Sequence, residues 1–206
     1  MLAPDAHLRR ADPVLAGLID AGGPLPARPD RRGRPEEPYG VLVRAITGQQ
    51  LSVKAAASIW QRVVDRFGGT PTPKQILGDD PEELRVASGF SRAKVTYLRS
   101  LAEHVLSGEL ELDRLPDMPD GEVIRELTAV KGIGEWTAHM FLIFTLERPD
   151  VLPTGDLGMR NAAKRAYGLE RPPAPTELAA LAEPWRPYRT RACLYLWRSL
   201  DNEPVG

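Results

Sequence analysis

The chain contains 206 residues, which is enough for one large domain or for two small lobes. Its formal net charge is −1, so no global positive field draws it to nucleic acid or to an anionic membrane, and any polyanion site must be a local patch. No apolar run approaches the roughly 20 residues of a membrane helix, and the opening Met-Leu-Ala-Pro-Asp lacks the features of a signal peptide. The single cysteine, Cys193, excludes an intrachain disulfide, a zinc finger and a four-cysteine iron–sulfur cluster.

The periodicity of apolar residues is helical along the whole chain. Between Ser52 and Phe67 apolar residues recur at i, i+3, i+4 and i+7, and Ser91 to Leu106 repeats this pattern. The predicted helices span 12–21, 38–47, 52–67, 73–78, 81–87, 91–106, a stretch opening at 119–120, 136–146, 157–167, 176–183 and 188–200. The helix 136–146 is apolar almost all round, which predicts full burial. Because no convincing alternation of apolar and polar residues occurs, we predict an all-α fold of about ten helices.

Two breaks divide this helical pattern. Residues 24–38 are rich in Pro and Arg and are typical of an exposed linker, and residues 147–156 form a second break. We therefore predict two helical lobes. One comprises 36–146, and the other combines 1–35 with 147–206.

The most informative segment joins two helices through a Gly-hydrophobic-Gly turn. It reads Leu127-Thr-Ala-Val-Lys-Gly-Ile-Gly-Glu-Trp-Thr-Ala138. Gly132 and Gly134 lack a Cβ, which lets backbone amides at a helix N-terminus approach a phosphate closely, while Ile133 anchors the turn in the core. The alternative is that the glycines only permit a tight connection.

A second turn follows the apolar helix, and it reads Pro153-Thr-Gly-Asp-Leu-Gly158. The hairpin, the apolar helix and this turn together resemble the helix-hairpin-helix DNA glycosylase superfamily, in its 3-methyladenine DNA glycosylase II branch. The resemblance runs from about Tyr39 to Leu200 and includes the segments Ala45–Ser52 and Gly89–Lys94. It implies two helical lobes with a DNA-binding cleft between them. Larger members carry an additional N-terminal β-domain, for which this chain has no room.

The resemblance assigns the catalytic carboxylate to Asp156. Base excision passes through a sugar with oxocarbenium character, and a carboxylate beside the anomeric carbon stabilises that positive charge and orients the attacking water. Asp156 is alternatively the N-cap of helix 157–167. The two roles are compatible, because a helix N-terminus favours negative charge.

Four residues are candidates for the base pocket. Trp136 stands where bifunctional members, which also cut the strand, carry a Schiff-base lysine, and an indole cannot form an imine. We weigh a pocket wall equally with a core position for Trp136. Tyr188 and Trp185 resemble the C-terminal aromatic that stacks on the flipped base, and such rings attract cationic alkylated purines. A core position is the alternative for both residues, since most aromatics at helical spacing are core. Met140 stands where related enzymes carry another pocket aromatic.

The remaining candidates contact the DNA duplex. Gln50, with Leu51 as the alternative, occupies the position of the side chain that fills the gap left by the extruded base. An ordinary turn with Leu51 as a core contact is the competing interpretation. The expected phosphate contacts are Gly132, Gly134, Thr137, Ser91, Arg92, Lys94 and Arg189. For Ser91, Arg92 and Lys94 the alternative is a solvated helix start.

We expect no required cofactor and no iron–sulfur cluster. Inward-facing carbonyls of Thr128, Val130 and Ile133 are candidates for holding a structural Na⁺ or K⁺. The three histidines have no metal-ligand spacing, and Cys193 is expected to be a small buried hydrophobe.

The resemblance therefore implies a monofunctional glycosylase that hydrolyses the N-glycosidic bond of alkylated bases in double-stranded DNA after base flipping. We expect a monomer with no membrane partner, acting in the cytoplasm at a bacterial nucleoid. Two alternatives stay open here. One is a non-enzymatic DNA-binding module, and the other is a mismatch or oxidised-base glycosylase of the same superfamily.

Overall fold

The structure, a computed structural model, describes residues 3–26 and 35–201. In these ranges it contains twelve α-helices, two short 3-10 helices and no strand, which confirms the predicted all-α fold. The helices are α1 Ala3–Ala11, α2 Pro13–Gly22, α3 Pro38–Gly48, α4 Val53–Phe67, α5 Pro73–Gly78, α6 Pro81–Ser88, α7 Arg92–Ser107, α8 Asp120–Ala129, α9 Glu135–Phe144, α10 Leu157–Ala166, α11 Pro175–Leu181 and α12 Arg189–Asp201. The 3-10 helices are Leu112–Asp117 and Glu183–Trp185.

Local capping explains why most predicted boundaries are nearly right. Ser52 and Ser91 accept hydrogen bonds from backbone N–H groups in the first turns of α4 and α7. Gly68 and Gly89 end α4 and α6 in the left-handed conformation, with φ of 72° and 75°. These signals lie within a few residues of each boundary, so the sequence alone displays them.

The chain divides into two compact units. The terminal unit comprises Met1–Pro29 and Leu142–Gly206, and the middle unit comprises Asp30–Phe141. The predicted boundary lies after residue 146, whereas the compact units divide after Phe141, so that the last turn of α9 belongs to the terminal unit. There Phe144 stacks on Trp197 with ring centroids 6.2 Å apart. The predicted boundary between residues 35 and 36 lies next to residues 27–34, which are outside the described residues. Most of the predicted linker 24–38 falls on the same residues.

The terminal unit buries apolar side chains from α1, α2, α10, α11 and α12 around Trp185 and Tyr195. Helix α1 is absent from the sequence-based expectation, because Leu8 is its only buried apolar residue. A buried ion pair fixes it instead. Arg191 donates to the carboxylate of Asp5 at 2.8 and 3.0 Å, and the Tyr195 hydroxyl donates to the same carboxylate at 2.9 Å.

The middle unit packs α3 to α8 and most of α9 around a second set of buried apolar residues. Helix α9 departs from the prediction of full burial. Ala138 and Phe141 are buried, whereas Trp136 in its first turn is 51% exposed. Within the described ranges, no helix combines the length and the apolar character required to cross a membrane.

Candidate active site

Asp156 terminates the turn before α10 and caps that helix. Its backbone N–H donates to the carbonyl of Pro153 at 3.0 Å, which closes the turn. Its side-chain Oδ1 accepts the N–H of Met159 at 2.5 Å. Asp156 is half-buried, and its carboxylate is held at the start of α10. The predicted N-cap role is therefore confirmed.

A second donor, which the sequence-based analysis missed, acts on the same oxygen. The indole Nε1 of Trp197 donates to Oδ1 of Asp156 at 3.0 Å. Trp197 lies on α12 and is itself supported by the stacked ring of Phe144. The sequence offers only a general indication of this bond, because a partly buried tryptophan needs an acceptor for its N–H group.

Gly158 leaves room for this arrangement. A Cβ at that position would lie 3.2 Å from Oδ1 of Asp156 and 3.7 Å from Nε1 of Trp197. Any side chain there would crowd the hydrogen bond between those two atoms. The glycine that follows Leu157 in the turn thus has a steric role beside the carboxylate.

The four base-pocket candidates differ in their burial and in their contacts. Trp185 is fully buried, donates its Nε1–H to Asp12 at 2.9 Å and stacks on Tyr167, so it occupies a core position, the alternative to a base contact. Tyr188 is half-buried, with its ring 5.4 Å from that of His7. Exposure of Trp136 excludes the core alternative considered for it. Met140 is half-buried on α9.

The two hairpin glycines serve different purposes. Gly132 has φ +91°, and a Cβ there would lie 2.1 Å from Cγ of Tyr97. This glycine is therefore required by the backbone and by the underlying ring. Gly134 meets nothing within 4 Å of an added Cβ and faces open space at the start of α9. Between them Ile133 is buried, as predicted.

The turn between α3 and α4 presents both wedge candidates. Gln50 is exposed with φ +59°, a left-handed conformation that is costly for a residue with a side chain. Leu51 is 37% exposed, so it is not a core contact. The preceding Gln49, which the sequence-based analysis did not single out, donates Nε2–H to the carbonyl of Gly132 at 2.8 Å.

Three predicted phosphate ligands have other partners or are buried. Lys94 donates from Nζ to the carbonyl of Thr47 at 2.6 Å, and burial lowers the pKa of its ammonium group. Arg189 donates to the carboxylate of Asp150 at 2.7 and 2.9 Å. Thr137 is 5% exposed, so its position does not support a phosphate contact. The side chains of Lys94 and Arg189 are thus engaged by acceptors within the fold.

Three other phosphate candidates remain accessible. Ser91 caps α7 through the N–H of Lys94 at 3.3 Å, and both Ser91 and Arg92 are exposed. Gly134 is also exposed. The start of α7 and the start of α9 thus stay available to an anion in the middle unit.

The predicted cation site consists of backbone carbonyl groups of the hairpin, those of Thr128, Val130 and Ile133. The carbonyl of Val130 accepts the N–H of Ile133 at 3.1 Å, which makes the hairpin a closed turn. Carbonyl oxygens are hard, neutral ligands and suit Na⁺ or K⁺.

In the described part of the chain, no group of three or more His, Cys, Asp or Glu residues is arranged to hold a metal ion. Cys193 is buried, which raises the pKa of its thiol.

The described residues combine an all-α fold, a hairpin followed by an exposed helix start, and a carboxylate that caps a helix. Comparison with known proteins identifies the class of protein to which this combination belongs. The family model described as "HhH-GPD superfamily base excision DNA repair protein" matches residues 43–187. The chain belongs to this superfamily.

Individual relatives cover nearly the whole chain. DNA-3-methyladenine glycosylase 1 of Schizosaccharomyces pombe is 40% identical over 201 residues, covering 95% of this chain and 86% of the relative. The structure of an S. pombe 3-methyladenine DNA glycosylase in complex with abasic DNA matches with a TM-score of 0.86 and 36% identity, covering 97% of both chains. A DNA-3-methyladenine glycosidase from Bacillus halodurans matches with a TM-score of 0.84 and 39% identity, covering 98% of this chain and 90% of the other.

Proposed function

We propose that this chain is a monofunctional DNA glycosylase that removes alkylated bases of the 3-methyladenine type by hydrolysis of the N-glycosidic bond. The observation that carries the proposal is the carboxylate of Asp156, oriented by the N–H groups of Met159 and Trp197. Capping of α10 needs only the N–H group of Met159, so the additional donor from Trp197 favours a catalytic carboxylate over a module that only binds DNA. The names of the relatives support the same substrate class.

The chemistry assigned to Asp156 is electrostatic. As the bond between C1′ and the base nitrogen breaks, the base leaves with the electron pair and the sugar gains positive charge. The fixed carboxylate stabilises that charge. Water then adds its oxygen to C1′ and gives up a proton, for which Asp156 is the nearby acceptor. The products are the free base and an abasic site.

In this proposal the middle unit binds the duplex. Exposed backbone at Gly134 and the start of α9 bind a phosphate, and Gln50 enters the space vacated by the extruded base. A monovalent cation on the carbonyls of Thr128, Val130 and Ile133 would add positive charge beside that phosphate. The substrate is double-stranded DNA, and the enzyme acts on it as a monomer without a required cofactor.

Strand cleavage through an imine is not part of this mechanism. Trp136 follows the hairpin where a Schiff-base lysine would be required, and Lys131 lies before the hairpin glycines. Borohydride added during turnover should trap no covalent complex, and product strands should stay intact until alkali treatment. A trapped adduct at any lysine would show that the enzyme is bifunctional.

The decisive experiment measures bases released from N-methylated duplex DNA by chromatography. Asp156→Asn is the informative variant, because asparagine is also a good N-cap and keeps an acceptor for Met159 and Trp197. We expect unchanged melting, retained DNA affinity and a loss of about a hundred- to a thousand-fold in the single-turnover rate. More than about a tenth of the wild-type rate would contradict the role of Asp156, and no base release by wild type would contradict the proposed function.

A further inference from the structure

The side chain of Gln49 connects two elements of the middle unit that are distant in sequence. Its Nε2–H donates to the carbonyl of Gly132 at 2.8 Å, joining the turn after α3 to the hairpin between α8 and α9. Gln49 is half-buried, whereas the following residue, Gln50, is exposed. The anchored side chain and the projecting side chain are therefore neighbours in the same turn.

The turn is held on its other side as well. Lys94 on α7 donates Nζ–H to the carbonyl of Thr47 at 2.6 Å, in the last turn of α3. Gln50, which lies beyond both attachments, has the left-handed φ of +59°. Such a conformation persists only where surrounding contacts impose it. The bonds made by Gln49 and Lys94 are contacts of this kind.

The acceptor of the Gln49 bond is itself rigidly placed. Gly132 lies against the ring of Tyr97, so closely that a Cβ would collide with it. The N–H of Lys131 donates to Oγ of Ser100 at 3.3 Å. Both Tyr97 and Ser100 lie on α7, the helix that also carries Lys94. The hairpin and the turn are thus fixed to the same helix.

We propose that Gln49 is a positioning residue for base extrusion, fixing the turn that carries Gln50 in register with the phosphate-binding hairpin. This inference rests on the proposed function, in which Gln50 fills the vacated stack. The side chain of Gln50 can replace an extruded base only if it enters at a set distance from the phosphate held by the hairpin. The bond from Gln49 to Gly132 sets that distance directly.

The test uses Gln49→Met, which preserves the length of the side chain and removes its N–H donor. Single-turnover excision is measured at saturating enzyme for the same alkylated base in a stable pair and in a mismatch. A mismatched base costs less to unpair, so it depends less on a well-placed wedge. We expect about a tenfold loss for the stable pair, the size of one lost hydrogen bond, a smaller loss for the mismatch, and affinity for undamaged duplex within about twofold of wild type.

Gln61→Ala is the matched control. Gln61 also lies in the middle unit and donates its Nε2–H at 2.8 Å, but to the exposed Asp65 on its own helix. It should leave the ratio of the two rates unchanged. That ratio does not depend on the fraction of folded enzyme, so it separates positioning from a general loss of stability. Equal losses for the two substrates in Gln49→Met, or no loss, would overturn the inference.

Gln50→Ala and the double variant distinguish this inference from the proposed function. If Gln49 acts through Gln50, removing both should impair the stable pair little more than removing Gln50 alone. Full additivity of the two losses would overturn the role of Gln49. An unimpaired Gln50→Ala would contradict the wedge on which the inference rests. An impaired Gln50→Ala beside an unimpaired Gln49→Met would contradict the Gln49 inference alone.

Discussion

Trp197 donates its indole N–H to the same oxygen of Asp156 that caps helix α10, at 3.0 Å. One carboxylate oxygen thus receives two N–H groups from different elements, the start of α10 and the middle of α12. Two donors on one oxygen restrict rotation of the carboxylate plane. Donors of this kind also stabilise the negative charge on which the proposed chemistry depends.

Trp197→Phe should separate the hydrogen bond from the packing. Phenylalanine retains an aromatic ring to stack on Phe144 and removes only the donor to Asp156. We expect about a tenfold fall in the single-turnover excision rate, with duplex affinity unchanged. A rate equal to wild type would show that the hydrogen bond from Trp197 is not needed to orient the carboxylate. Phe144→Leu, which removes the stack but keeps the donor, is the control and should have a smaller effect.

Alanine substitution of the two hairpin glycines should affect different properties, stability for Gly132 and DNA binding for Gly134. In Gly132→Ala the Cβ meets the Tyr97 ring and the backbone is strained at φ +91°, so we expect a loss of more than about 2 kcal/mol in the free energy of unfolding. Gly134→Ala places its methyl group in open space and should fold normally. Its effect should appear as weaker binding to lesion and undamaged duplex alike, with a shallower salt dependence as phosphate contacts are lost.

Thermal melting and salt-titrated duplex binding of the two variants provide the measurement. Normal melting of Gly132→Ala would contradict the steric role assigned to Tyr97. Unchanged binding of a normally folded Gly134→Ala would make the hairpin a structural connection only. Gly121→Ala, a third glycine of the middle unit with nothing within 4 Å of an added Cβ, controls for the substitution itself.

The fold was predictable from the sequence where its determinants are local. Caps such as Ser52 and Ser91 lie next to the helices they start, so periodicity and capping residues reveal α4 and α7 together. Helix α1 could not be predicted in this way. It depends on the bond between Asp5 and Arg191, two residues 186 positions apart, and a single sequence displays no sign of that pairing.

The site was predictable only in part for the same reason. The resemblance located Asp156, but choosing between tryptophans required tertiary contacts. The indole N–H of Trp185 is bound by Asp12, and that of Trp197 is bound by Asp156. Likewise, Arg189 and Lys94 have the charge of phosphate ligands, yet their acceptors, Asp150 and Thr47, come from remote parts of the chain. The residue type thus indicates which bonds a side chain can form, but not which partner in the fold it bonds to.

Acid should weaken the terminal unit through Asp5. Burial by itself raises the pKa of this carboxyl, but hydrogen bonds from Arg191 and Tyr195 and the nearby positive charge outweigh burial and lower it below 3.8. A carboxyl with a lowered folded-state pKa contributes stability above its unfolded value, and that stability is lost as pH falls through the folded value. The melting temperature should therefore fall as pH drops below about 4.

Asp5→Asn should remove part of this dependence. It leaves the guanidinium of Arg191 buried without an anion, which typically costs about 3–5 kcal/mol of folding free energy. Melting curves between pH 3 and 7 for both proteins supply the test. Parallel pH dependences would show that other carboxyl groups dominate acid unfolding. Asp20→Asn, at an ion pair whose carboxylate is 65% exposed, should change stability little.

Substrate choice should follow the charge of the leaving base. His139 is the histidine within the motif segments, and burial lowers the pKa of its imidazole, although Glu135 and Asp120 act in the opposite direction. The neutral form of His139 is therefore favoured at neutral pH, which makes it a poor proton donor for a departing base. A purine alkylated on a ring nitrogen is cationic and leaves as a neutral molecule, so it needs no acid and only stabilisation of the sugar.

We therefore expect cationic 3-methyladenine and 7-methylguanine lesions to be excised faster than neutral hypoxanthine or uracil in matched duplexes. Tyr188 tests the aromatic contribution, because attraction of a cation by a ring is worth roughly 0.5–2 kcal/mol. Tyr188→Ala should narrow the gap in single-turnover rates by about two- to thirtyfold, the range that this energy represents. Tyr188→Phe keeps the ring and should preserve the gap. Uracil released faster than 3-methyladenine by the wild-type enzyme would show that the pocket recognises base edges instead of charge.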